Sequence, residues 1–189
     1  DCGPAFLGLC QDTQELAYDY PEDFFKPKIH IIPRMRPDER QVKLAVNLIK
    51  SSKNPLIISG GGVRYSGAQK ELGDLAQKLQ IPVAETIAGK GAFTHDDPVH
   101  IGPIGVVGST SANYAAQRAD LIIAVGTRLQ DFTTGSWTTF DHKTPFLTIN
   151  SARWDAQKHQ SLTMVGDAKV CLEELSEHLK GFKLDGKWL

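Results

Sequence analysis

Leu56-Ile57-Ile58 follows Asn54-Pro55 without a polar interruption, and after Ser59 the chain breaks into Gly60-Gly61-Gly62. A short apolar run opened by proline and followed by a helical pattern predicts a buried parallel strand, with the glycines forming the turn into the next helix. Upstream, Pro37-Asp38-Glu39 places proline and acids at a helix start, and Val42, Ala45, Val46 and Ile49 then recur at helical spacing. Downstream, Ser66 and Gln69 form an S-x-x-Q capping pattern ahead of the stripe Leu72, Leu75, Ala76 and Leu79. Ile81 to Thr86 reads as the next strand, with Pro82 near its entry, where a missing N–H is tolerated. Strand, helix and strand of these lengths require a parallel, right-handed crossover.

The alternation continues to the end of the chain. Ile87 to Gly108 carries glycines at 89, 91, 102, 105 and 108 and little periodicity, which predicts a long irregular connection over one end of the sheet. Ser109 to Arg118 can form a helix with Ala112, Ala115, Ala116 and Ala119 inward, and Leu121-Ile122-Ile123-Ala124-Val125-Gly126 is a third strand as apolar as the first. A second long loop, 127–145, leads to a fourth strand at Pro145 to Asn150 and a weaker fifth at Ser161 to Val165. Gly166-Asp167 then caps a last helix, with Ala168, Cys171, Leu172, Leu175 and Leu179 as its stripe. Buried strands alternating with amphipathic helices give an α/β domain with a doubly wound, mainly parallel sheet. Gly3 to Cys10 is strand-like but has no neighbour to pair with, and residues 11–36, with Pro21, Pro27, Pro33, Tyr20, Phe24 and Phe25, read as an ordered linker clamped by its aromatics.

Composition narrows the classes of function. The 189 residues hold 21 basic and 22 acidic side chains mixed along the chain, a net charge of −1, which leaves no footprint for nucleic acid or an anionic membrane. No apolar run approaches the ~20 residues that span a bilayer. Cys2, Cys10 and Cys171 are odd in number and lack a C-x-x-C pair, which argues against a disulfide framework or structural zinc and for a reducing, cytoplasmic setting. The first residue is Asp1, and Trp188-Leu189 is an apolar end, so a piece of a longer protein is expected.

In a doubly wound sheet, ligands bind beyond the carboxyl ends of the strands. The residues expected there are Gly60 to Arg64, Thr86 to Gly91, Gly126 to Asp131, Asn150-Ser151 and Gly166-Asp167. Glycine amides, two arginines and a few hydroxyls suit phosphates and a ribose better than a catalytic dyad; a crevice filled by its own loops is the alternative. The G-x-G-x-x-G fingerprint fails at Tyr65. Gly181 to Lys187 mimics a P-loop, but Trp188 stands where Ser or Thr would hold Mg²⁺, and His95-Asp96-Asp97 before Pro98 reads as a solvated turn.

Three runs, Ile58-Ser59-Gly60-Gly61-Gly62-Val63, Pro82 to Gly91 and Ala119 to Leu129, resemble in order and spacing the central domain of thiamine-diphosphate-dependent enzymes of the acetolactate synthase and pyruvate oxidase group. More narrowly, Ala17 to Pro21, Ser109 to Asn113 and Gln130 to Ser136 resemble the branch that hydrolyses a trihydroxycyclohexane-1,2-dione ring in myo-inositol breakdown. The resemblance implies a three-layer Rossmann-like domain of the DHS-like NAD/FAD-binding type at 37–180. It implies the end of a pyrimidine-binding domain at 1–14, a linker at 15–36, and at 181–189 the start of a linker to a diphosphate-binding domain. It further implies a parent enzyme that uses thiamine diphosphate and Mg²⁺ and works as a homo-oligomer.

The activating glutamate and the G-D-G…N motif of that group have no counterpart here: Gly166-Asp167-Ala168 lacks the second glycine, and no asparagine follows Asn150. The fragment is therefore expected to be non-catalytic, with the flanking catalytic domains as its partners. In relatives that hold FAD or ADP, the positions matching Gly60, Gly61, Gly62, Arg64, Thr86, Gly126 and Arg128 line the nucleotide, and an acid stands where this chain has Asn150. The rival readings are a module that binds FAD, ADP or NAD and an independent enzyme of sirtuin-like or flavoprotein-like fold.

Overall fold

Residues 4–184 and 188 are described by the computed structural model, in two units, Asp1–Pro33 and Arg34–Leu189. The first unit holds a short helix α1 (Gln11–Gln14) and a 3₁₀ turn at Glu22–Phe25, and buries no described residue. Its aromatic side chains gather on one another, with ring centroids 4.7 Å apart for Tyr20 and Phe24 and 5.3 Å for Phe24 and Phe25. The strand expected at Gly3 to Cys10 does not form over residues 4–10, because a strand needs a hydrogen-bonded neighbour and the unit supplies none; Gly3 lies outside the described residues.

In the second unit the apolar periods build the elements they predict. Helix α2 (Glu39–Ser51) is capped by the Asp38 carboxylate, which accepts from the Arg40 and Gln41 amides, and buries Val42, Ala45, Val46 and Ile49. Strand β1 (Pro55–Ser59) is buried throughout. The single helix expected after the glycines is two. Helix α3 (Gly61–Ser66) ends at Gly67, which is left-handed at φ 64°, and α4 (Gln69–Leu79) starts at Ala68 with no side-chain cap. The Ser66–Gln69 capping pattern is thus not used, because the Ser66 hydroxyl donates to Asp167 instead.

Helix α4 closes on Gln80 at φ 55°, with the Ile81 amide donating to the Ala76 carbonyl at 2.9 Å. A left-handed residue in that place favours glycine. Gln80→Gly is therefore expected to raise stability by about 0.5–1 kcal/mol in urea unfolding.

Strand β2 (Val83–Glu85) pairs parallel with β1, and β3 (His100–Pro103) pairs parallel with β2. The second pairing corrects the expectation that 87–108 is irregular throughout: Gly102 and Pro103 break any apolar run, and an edge strand tolerates a proline. Helix α5 (Thr110–Arg118) is capped by Ser109 and followed by β4 (Leu121–Val125), the short α6 (Asp131–Thr134) and β5 (Phe146–Asn150). One-turn α7 (Arg153–Ala156), β6 (Leu162–Val165) and α8 (Ala168–His178) complete the chain of elements.

All six strands are parallel, in the order β3-β2-β1-β4-β5-β6. That order reverses between β1 and β4, which defines the switch point of a doubly wound domain. Side chains alternate across the central strands. Ile57, Ile123 and Ile149 pack with α2, α4 and α8, whereas Leu56, Ile58, Ile122 and Ala124 pack with the alanine face of α5, so the sheet is the middle of three layers.

Candidate functional site

At the switch point the glycine turn is held by backbone from both neighbours. The Gly60 amide donates to the Val125 carbonyl at 2.8 Å, the Gly62 amide to the Gly126 carbonyl at 2.9 Å, and the Gly126 amide to the Ile149 carbonyl at 2.8 Å. A Cβ on Gly60 would lie 2.4 Å from the Gly126 oxygen, and one on Gly62 would lie 2.7 Å from the Gly126 Cα. On the other flank, Gly61 faces the Ala88 carbonyl at 3.2 Å, and a Cβ on Gly89 would lie 2.2 Å from the Ser59 oxygen. Gly60 is extended at φ −104°, so its lack of a side chain answers to close approach rather than to a special dihedral. The turns after β1, β2 and β4 thus pack directly on one another.

Of the other expected residues, Thr86 and Asn150 join this packing. The Thr86 hydroxyl accepts from the Gly89 amide at 3.1 Å; the Asn150 amide donates to the Thr127 carbonyl at 3.1 Å, and its oxygen accepts from the Ala152 amide at 2.9 Å. The arginines stand apart on the rim. Arg64 reaches toward β2, donating to the Lys90 carbonyl at 3.1 Å, while Arg128 turns toward Gln130 at 3.3 Å and its carbonyl accepts from Lys158 on the β5 side at 3.0 Å.

The arrangement does not fit a dinucleotide. A phosphate would have to take the Gly62 amide from Gly126, the helix behind it has only six residues, and a ribose hydroxyl would find at Asn150 a neutral oxygen already bonded to Ala152. It does not fit a diphosphate–metal pair either. Asp167, the nearest look-alike of a G-D-G aspartate, accepts at one oxygen from Arg34 (2.8 Å), Ser66 (2.9 Å) and the Lys169 and Val170 amides. Among the described residues no group of three or more His, Cys, Asp or Glu side chains could hold a metal ion. The P-loop mimic falls partly outside the described residues, at 185–187. Asp97 accepts from the Val99 amide at 3.1 Å, closing the loop turn expected around His95 to Asp97.

Two buried polar clusters escaped the sequence reading. Glu85, buried at the end of β2, accepts from the Ala92 and Phe93 amides at 2.9 and 3.1 Å and fixes the turn behind Gly89. His100 Nε2 lies 3.2 Å from the other Glu85 oxygen but off the line a hydrogen bond requires, and its ring stacks on Phe93. The second cluster is Arg34, Ser66 and Asp167, which ties the start of the unit to the N-termini of α8 and the α3–α4 turn. Its members are 32 and 101 residues apart, so no local spacing could announce it.

Comparison with known proteins adds to this geometry. The profile described as "Thiamine pyrophosphate enzyme, central domain" matches residues 42–175. A protein of Listeria monocytogenes serotype 4b (strain F2365) named 3D-(3,5/4)-trihydroxycyclohexane-1,2-dione hydrolase is 45% identical over 181 residues, 96% of this chain and 28% of the relative. Proteins of the same name from Bacillus subtilis (strain 168) and Clostridium perfringens are 46% identical over 182 residues and 43% identical over 181. The chain spans 28–29% of the length of these relatives.

Proposed function

The chain belongs to the family of thiamine pyrophosphate enzyme central domains, and from that membership we propose that it is the non-catalytic spacer of a hydrolase that opens a trihydroxycyclohexane-1,2-dione ring by C–C cleavage. The observation that carries this reading is identity of 45–46% across 96% of the chain to proteins bearing that name. In this reading residues 37–180 are the spacer, 15–36 the linker before it, and 1–14 and 181–189 lead from and to the pyrimidine-binding and diphosphate-binding domains. The parent acts in the cytoplasm, in myo-inositol degradation, as a homo-oligomer. Thiamine diphosphate supplies carbanion stabilisation to such a cleavage, and Mg²⁺ its diphosphate anchor, both held by the flanking domains.

This chain's own residues contribute rigidity. Interlocked turns at the switch point and the Arg34–Asp167 tie hold the sheet's carboxyl edge and the chain's entry in fixed places. The FAD/ADP alternative has the engaged Gly62 amide and the neutral Asn150 against it.

The test pairs two proteins, the full-length polypeptide and residues 1–189. The full-length protein is expected to hydrolyse the dione only with thiamine diphosphate and Mg²⁺ present, and residues 1–189 are expected to show neither turnover nor heat of binding with that cofactor. Ring opening or cofactor binding by residues 1–189 alone would overturn the proposal, as would a full-length protein inert toward the dione.

A further inference from the structure

The turn after β3 has the wrong side chains for a solvent-facing turn. The Gly108 amide donates to the Gly105 carbonyl at 2.9 Å, which makes Val106 and Val107 its two central residues, 63% and 61% exposed. Such positions favour Gly, Asn, Asp, Ser or Pro, and β-branched apolar residues gain nothing there from water. The turn is also rigid. Asn113 on α5 accepts from the Gly105 amide at 3.0 Å and donates to its carbonyl at 2.9 Å, and the Val106 amide donates to the Phe132 carbonyl at 2.9 Å.

Phe132 on α6 is 56% exposed, and Ile87, at the head of the turn after β2, is 59% exposed. The sheet's carboxyl edge therefore presents four large apolar side chains on a preorganised frame, the condition under which binding loses least to ordering. Arg64, Lys90 and Arg128 stand exposed along the same edge, whereas Glu85 is buried and Asp131 accepts from Ser136 at 2.9 Å. A complementary surface would be apolar and bordered by carboxylates.

We propose that the carboxyl edge, through Ile87, Val106, Val107 and Phe132, is the docking face for a flanking domain of the same polypeptide, one that presents an apolar patch ringed by carboxylates. The inference rests on the spacer reading above and adds the face by which the spacer works. Two arguments select a tethered partner over a second copy. More than two-thirds of each relative lies outside the matched span. Four partly exposed side chains also fall well short of the roughly 800 Å² per partner that a free-standing complex buries, whereas a covalent tether supplies an effective concentration on the order of millimolar and lets a small patch suffice.

The test is amide hydrogen exchange on the full-length polypeptide and on residues 1–189. Exchange at 104–108 and 131–134 is expected to be at least tenfold slower in the full-length protein. Val107→Asp and Phe132→Asp should each remove that difference there and leave exchange in residues 1–189 unchanged. Equal exchange in the two wild-type forms would overturn the proposal. So would self-association of residues 1–189 that Val107→Asp abolishes, since the occupant would then be a second copy. Because the readout is exchange and not turnover, a full-length protein inert toward the dione would sink the functional proposal and leave this one still readable.

Discussion

Gly60→Ala and Gly89→Ala are each expected to destabilise residues 1–189 by about 3 kcal/mol or more, read as a lowered urea midpoint at unchanged slope. The added methyl would sit 2.4 Å from the Gly126 oxygen in the first case and 2.2 Å from the Ser59 oxygen in the second, both closer than real Cβ contacts come. These neighbours are backbone atoms of strand ends, fixed by the ladder, so relief requires moving one whole turn away from another. Gly126 and Ser59 follow and end central strands, so the displacement would propagate into β4 and β1. Gly73→Ala is the control. It lies inside α4, meets only Phe93 Cε1 at 3.7 Å, and should be stabilising by about 0.5–1 kcal/mol from helix propensity. If Gly60→Ala unfolded with the wild-type midpoint, the three turns could not be packed as described.

The same glycines show how far the sequence could be read. Three consecutive residues without Cβ announce that something approaches closely, but a phosphate and another turn leave the same mark, and only the register of β1 against β4 identifies Gly126 as the neighbour. The central strands were legible because parallel strands buried on both faces are continuous apolar runs, as at 56–58 and 121–125. Strand β3 was not, since it is a half-buried edge of four residues holding a glycine and a proline. At Ser66 a genuine capping pattern gave way to a tertiary partner. Its hydroxyl bonds Asp167, 101 residues on, and the left-handed Gly67 splits the predicted helix in two. Asp167 itself was readable as a helix cap but not as the acceptor for Arg34, because the cap is local and the ion pair is not.

That double role makes Asp167→Ala the second large loss, about 2–3 kcal/mol at neutral pH: roughly 1 kcal/mol for the α8 cap and the rest for charge-assisted bonds from Arg34 and Ser66, discounted because Arg34 is half exposed. Asp167→Asn separates the two parts, since asparagine caps a helix as well as aspartate but carries no charge. Burial pushes the Asp167 carboxyl up, but the Arg34 and Ser66 side chains and the Val170 amide outweigh it and hold the group below its ordinary value. A carboxylate whose folded pKa is depressed contributes stability that is fully present above the unfolded pKa, about 4, and lost as pH falls through the folded one. The gap between wild type and Asp167→Asn in urea unfolding should therefore be level from pH 5 to pH 7 and shrink once the pH drops below about 4. Asp167→Ala should keep its capping deficit at every pH, because that part does not depend on the charge. A gap between wild type and Asp167→Asn that stayed constant down to pH 2 would mean that Arg34 contributes nothing through its charge, and the entry of the chain into the domain would then be held by the Met35 carbonyl, which accepts from the Asp167 amide at 2.9 Å, and not by the ion pair.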